Sequence, residues 1–133
     1  MTGSALFIAP SAYPLGGVAV WLDYLTPALE QFGWHGTAGL VAGRCHDVAA
    51  YCAAYPALPV VPIHNPTGSH EGRIRAIERV LIALKPEIVV GVNVVDIYPA
   101  AQRLRQRGQA IKVAMALHGI AADLLGDLAR EAP

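Results

Sequence analysis

Ala5-Leu6-Phe7-Ile8-Ala9 is an unbroken apolar run closed by Pro10, and Ser11-Ala12-Tyr13-Pro14-Leu15-Gly16-Gly17 follows it. A continuous apolar run of this length suits a strand buried on both faces, as in a parallel sheet. The Pro- and Gly-rich segment after it predicts a loop. Beyond the glycine pair, Val18, Trp21, Leu22, Leu25, Leu29 and Phe32 recur at intervals of three or four, the mark of a helix with one buried stripe. Gly33 is a plausible stop. Pro27 conflicts with that helix, because an interior proline costs ~3 kcal/mol. Either the helix kinks there, or it restarts with Thr26 as its cap.

The same alternation continues to the end of the chain. A second short strand falls within Gly36–Gly43, and a short helix over 45–55 is closed by Pro56. Leu58-Pro59-Val60-Val61-Pro62-Ile63 reads as a strand whose prolines confine it to a sheet edge. A helix is predicted over His70–Leu84, with Ile74, Ile77, Leu81 and Leu84 on one face and Lys85-Pro86 ending it. Ile88–Val92 is a fourth strand, 96–107 a helix closed by Gly108, Ile111–Leu117 a fifth strand, and Ala121–Arg130 a last helix. Strands separated by helical crossovers pair in parallel, with right-handed connections. The expected fold is therefore α/β: a doubly wound, mostly parallel sheet in a Rossmann-like three-layer sandwich, formed as one domain over residues 1–133.

Composition bounds the function. Apolar residues make up 54% and charged residues 15% of the 133, which excludes a disordered chain. Ten basic residues balance ten acidic ones, so nothing favours general nucleic-acid binding or attraction to an anionic membrane. No apolar run approaches the ~20 residues of a membrane span, and no positive charge precedes the first apolar stretch as in an export signal. Cys45 and Cys52 lack the companions of a zinc site, so no metal or other cofactor is expected, and the cytoplasm is the simplest location. Average domains carry about 25% charged residues. The shortfall here suggests a face covered by a further domain or by a second copy in a homodimer.

Ligands of open parallel sheets bind beyond the carboxyl ends of the strands. Here those ends carry Pro10–Gly17, His64–His70, Asn93–Asp96 and His118-Gly119. Gly16 and Gly17, just before a helix, let a ligand approach the backbone, and the helix N-terminus then favours a phosphate or carboxylate. A tight turn needing positive φ explains a bare Gly-Gly equally well. The pattern is neither the dinucleotide fingerprint nor the Gly-Lys-Ser/Thr phosphate loop. His118 ends an apolar strand, where it can donate a hydrogen bond or carry charge, with Gly119 leaving space beside its ring. Asn93 either binds a hydroxyl-rich ligand or caps a turn. His64, Asn65 and His70 read as a solvated loop. Arg73, Arg75, Arg79, Arg103, Arg105 and Arg107 read as solvated helix faces.

Tyr13-Pro14-Leu15-Gly16-Gly17, the helix carrying Trp21, Leu22, Leu25 and Leu29, and Phe32-Gly33-Trp34-His35 together resemble the opening of family-4 retaining glycosyltransferases with the GT-B fold. Lys85-Pro86-Glu87-Ile88-Val89-Val90 leading to Asn93 is similar to that family's Lys-Pro-Asp-Ile-Val stretch, and Leu117-His118-Gly119 to its strand-end histidine. The resemblance implies the N-terminal, acceptor-side domain of a two-domain enzyme that moves a sugar from a nucleotide-diphosphate donor to an acceptor hydroxyl with retention. His118 would then lie near the transferring sugar. Gly16, Gly17, Asn93 and Gly119 would contact donor or acceptor. The donor-binding glutamates of the C-terminal domain are absent, so the chain alone is expected to be inactive. Two readings from other classes stand beside this one: a flavodoxin-like module taking a small phosphorylated ligand, and a non-catalytic dimerising domain.

Overall fold

The computed structural model describes residues 3–10, 17–41, 48–65, 67–117 and 129–131. Along them β1 (Gly3–Pro10), α1 (Gly17–Glu30), β2 (Trp34–Val41), α2 (Val48–Ala54), β3 (Val60–Ile63), α3 (His70–Leu84), β4 (Ile88–Val92), α4 (Ile97–Gln106) and β5 (Lys112–Ala116) alternate as expected. The five strands form one sheet in the order β3-β2-β1-β4-β5, and every pairing is parallel. This is a doubly wound, Rossmann-like α/β fold.

β1 is the central strand, and its alternating side chains serve both layers. Leu6 and Ile8 point into a core shared with Ile74, Ile77 and Leu81 of α3 and Ala100, Ala101 and Leu104 of α4. Ala5, Phe7 and Ala9 point to the other face, among Ala19 and Leu22 of α1, Leu40 of β2 and Tyr51 of α2. Phe7 meets Trp21 edge to face at 6.0 Å.

Two details of the first helix differ from the periodicity argument. α1 runs unbroken through Pro27, and Thr26 is buried with its Oγ1 donating to the Leu22 carbonyl at 3.1 Å. Thr26 therefore bonds back within the helix and caps nothing. Pro27 is exposed and removes one ladder bond, to the Asp23 carbonyl, only three residues before the helix ends. Phe32 is 79% exposed, because the helix ends at Glu30 and the chain turns through Gly33 at φ 80° before the stripe reaches it. β3 lies at a sheet edge with Pro62 exposed, where a missing donor leaves no ladder partner unsatisfied. Lys85, left-handed at φ 47°, ends α3 with its N–H on the Leu81 carbonyl. Among the described residues no helix is long and apolar enough to cross a membrane.

Candidate functional site

The strand order fixes where a ligand would enter. From β1 the chain moves outward to β2 and β3 on one side, then crosses to β4 and β5 on the other. α1, which follows β1, and α4, which follows β4, pack on opposite faces of the sheet, and it is at such a switch point that open parallel sheets bind ligands. Gly17 is the first residue of α1, at this edge, and is exposed; a Cβ there would meet nothing within 4 Å among the described residues. Asn93 follows β4 directly, next to β1 in the sheet, and is left-handed at φ 58°. Asparagine tolerates that conformation better than most residues. Its N–H donates to the Ala116 carbonyl at 3.1 Å, which ties the end of β4 to the end of β5. Gly16, His118 and Gly119 lie outside the described residues, as do residues 121–128 of the helix expected over Ala121–Arg130; residues 129–131 are helical. β5 ends at Ala116 on the same edge, two residues before His118.

Further along the edge, the loop into α3 is bonded to itself. Thr67 Oγ1 donates to Asn65 Oδ1 at 2.9 Å and lies 2.9 Å from Ser69 Oγ, while Asn65 Nδ2 donates to the Ser69 carbonyl. Ser69 Oγ accepts from Gly72 N at 2.9 Å, the N-cap bond of α3. The positive end of α3 is thus already engaged by its own loop.

Beside it stands a polar cluster that the sequence pattern does not announce. Asp96 is 17% exposed and accepts from Arg73 Nε at 2.9 Å. It occupies the N-cap position of α4 without capping that helix, so its carboxylate is committed to Arg73. His70 Nδ1 is 3.1 Å from Arg73 Nη2 and 3.5 Å from Asp96 Oδ1. A guanidinium can only donate, so in its contact with Arg73 the His70 Nδ1 is the acceptor. His70, Arg73, Val95, Asp96, Arg130 and Glu131 enclose a cavity of about 150 Å³. Arg73 and Asp96 are 23 positions apart, and no local spacing announces their pairing.

No protein-family profile matches the sequence, and no curated protein matches it. Among solved structures, the chain shares its fold with a Listeria monocytogenes protein described as a UDP-N-acetylglucosamine 2-epimerase. The TM-score is 0.58 at 10% identity, over 87% of this chain and 30% of that one. The C-terminal domain of a Pyrococcus furiosus hydrogenase aligns at TM-score 0.44 and 19% identity, over 87% of this chain and 91% of that one. The first likeness agrees with a Rossmann-like α/β domain; the second is too distant to bear on the fold. The chain spans about a third of the epimerase-like protein's length.

Proposed function

We propose that the chain is the acceptor-side, Rossmann-like domain of an enzyme that handles a nucleotide sugar, with retaining glycosyl transfer to an acceptor hydroxyl as its reaction. The observation carrying this reading is the switch point between β1 and β4 in the strand order, with Gly17 opening α1 on one side and left-handed Asn93 on the other. The family resemblance of the glycine loop and of the Lys85–Val90 stretch supports it. So does the shared fold with a protein described as acting on a UDP-sugar.

In this reading Gly16 and Gly17 admit the diphosphate or the acceptor to the backbone N–H groups of α1, where the helix dipole favours negative charge. Asn93 hydrogen-bonds a sugar or acceptor hydroxyl. His118 lies by the transferring sugar, with Gly119 leaving it room. A second domain completes the donor site, so the 133-residue chain binds without turning over.

The test is a titration of the isotope-labelled chain with UDP-N-acetylglucosamine, UDP and UMP, followed through backbone amide shifts. The expected result is a set of shifts at Gly17 and Asn93 that saturates with UDP and the UDP-sugar and is weakened about tenfold in Asn93→Ala, the loss of one to two hydrogen bonds. Shifts confined to other edges of the sheet, or no response to any nucleotide, would overturn the reading.

A further inference from the structure

The layer formed by α3 and α4 carries on its outer surface a groove of about 480 Å³ that no part of the proposed reaction uses. Two rows of arginine face each other across it. Arg75 and Arg79 are one turn apart on α3, and Arg103 on α4 is followed four positions later by Arg107 at that helix's C-cap. Glu71 and Glu78 complete the charged lining, so the formal balance is four cations to two anions. This concentration is regional: residues 67–117 hold eight of the ten Lys and Arg but four of the ten Asp and Glu.

The two glutamates hold the arginines in place. Glu71 takes both arms of Arg103, at 2.7 and 2.8 Å, and Arg75 Nε at 3.1 Å. Glu78, with its side chain only 6% exposed, lies 3.3 Å from Arg103 Nη1 and 3.3 Å from Arg107 Nη2. Removing either arginine would leave a buried carboxylate short of a partner, which anchors that row. Arg79 reaches the His64 carbonyl at 3.4 Å. Each guanidinium has five N–H donors, so Arg75, Arg79 and Arg107 keep most of theirs unused. Side chains ordered in advance lose less entropy when they bind, and the arginine fork matches phosphate oxygens in pairs.

We propose that this groove binds a compact polyanion of the diphosphate type. The lining selects that class: among the described residues its only apolar member is Ile82, and none is an aromatic ring on which a nucleobase could stack. An excess of two positive charges in two facing rows fits a ligand with two linked phosphate groups better than one with a large apolar body.

The experiment titrates inorganic diphosphate into the intact chain by calorimetry at about 0.15 M salt, where diffuse surface attraction is screened within about 8 Å. The comparison proteins are R75Q/R79Q, which spares both contacts of Glu78, and K112Q, which removes an exposed charge outside the groove. The expected result is submillimolar binding, weakened about tenfold or more in R75Q/R79Q and changed less than about twofold in K112Q. If the double variant fails to melt cooperatively, R75Q and R79Q are measured singly, with the same direction expected of each. Absence of binding, equal weakening by K112Q, or capture of an acidic peptide in preference to diphosphate would overturn the proposal. Because the probe carries no nucleoside or sugar and the variants lie off the β1–β4 switch point, this outcome is independent of the nucleotide-sugar titration.

Discussion

A methyl group on Gly91 would sit 2.6 Å from the Val94 carbonyl oxygen, 2.7 Å from Ile97 Cδ1 and 2.9 Å from Met115 Cε. The nearest of these is backbone, held in the turn that carries Asn93, and it cannot swing aside. Gly91→Ala is therefore expected to cost about 2–3 kcal/mol in urea unfolding, in the upper range for overpacking a core. Gly72→Ala meets the side chains of Thr67, Asn65 and Ser69 instead. These lie in an exposed loop that can open, so about 1–2 kcal/mol is expected, the loss of one cap and its neighbours. Equal costs at the two glycines would mean that the Val94 carbonyl is not fixed. A second residue-scale expectation concerns Tyr51, which is 1% exposed and whose hydroxyl has no hydrogen-bond partner among the described residues. Burial, with smaller contributions from Tyr55 and Asp23, pushes its phenol from 10.0 up to about 12. The folded state thus keeps a proton that the unfolded state releases. The stability tied to this group is whole below pH 10 and is lost as pH rises towards 12. Tyr51→Phe should unfold at equal or up to about 1 kcal/mol higher free energy at neutral pH, because an unpaired buried hydroxyl is removed. It should also lose less stability than the parent between pH 10 and 12. Parallel curves for the two proteins would show that the hydroxyl is solvated.

At the scale of elements, the packing of α3 on α4 is tied by the carboxylate of Glu71. The hydrogen bond from Arg103, followed by that from Arg75, holds it well below its ordinary 4.5, at about 2. A depressed carboxylate contributes stability above its unfolded value and loses it as pH falls through the folded one. The difference in melting temperature between the parent and Glu71→Gln should therefore be constant above pH 4.5 and shrink as pH falls towards 2. A difference that does not change over that window would show that Arg103 does not hold Glu71 in solution. α3 has the expected bounds His70–Leu84 because its pattern is local: a 3-4-3 apolar stripe runs up to Lys85-Pro86, which stops it, while the Ser69 cap at its start shows only in the structure. Arg73 of α3 and Arg103 of α4 look solvated from sequence because their partners lie 23 to 32 positions away, and helical periodicity shows only that they leave the core. Phe32 shows the opposite error: its spacing fits the stripe, but the turn at Gly33 is a local decision that the spacing does not register. The candidate site was legible as an edge of the sheet, since strand ends can be counted from the apolar runs. The pairing of Arg73 with Asp96 required the three-dimensional fold.

At the scale of the whole molecule, the sheet separates two cores that share a single strand. Leu6 and Ile8 of β1 belong to the core under α3 and α4, while Ala5, Phe7 and Ala9 belong to the core under α1 and α2. β1 is bonded on both sides, to β2 and to β4. Neither core survives without it, so the two should melt as one unit, as expected of a domain below about 150 residues. Trp21 and Trp34 pack only against the second core, and their fluorescence reports on that side. Leu81 is fully buried in the first, and Leu81→Ala is expected to cost about 2–5 kcal/mol. The substitution lies across the sheet from both tryptophans, yet it should move the urea midpoint of their fluorescence by the same amount as the midpoint of far-ultraviolet circular dichroism. If fluorescence kept its original midpoint while the dichroism shifted, the α1–α2 layer would be a separate folding unit, and β1 would not couple the two faces.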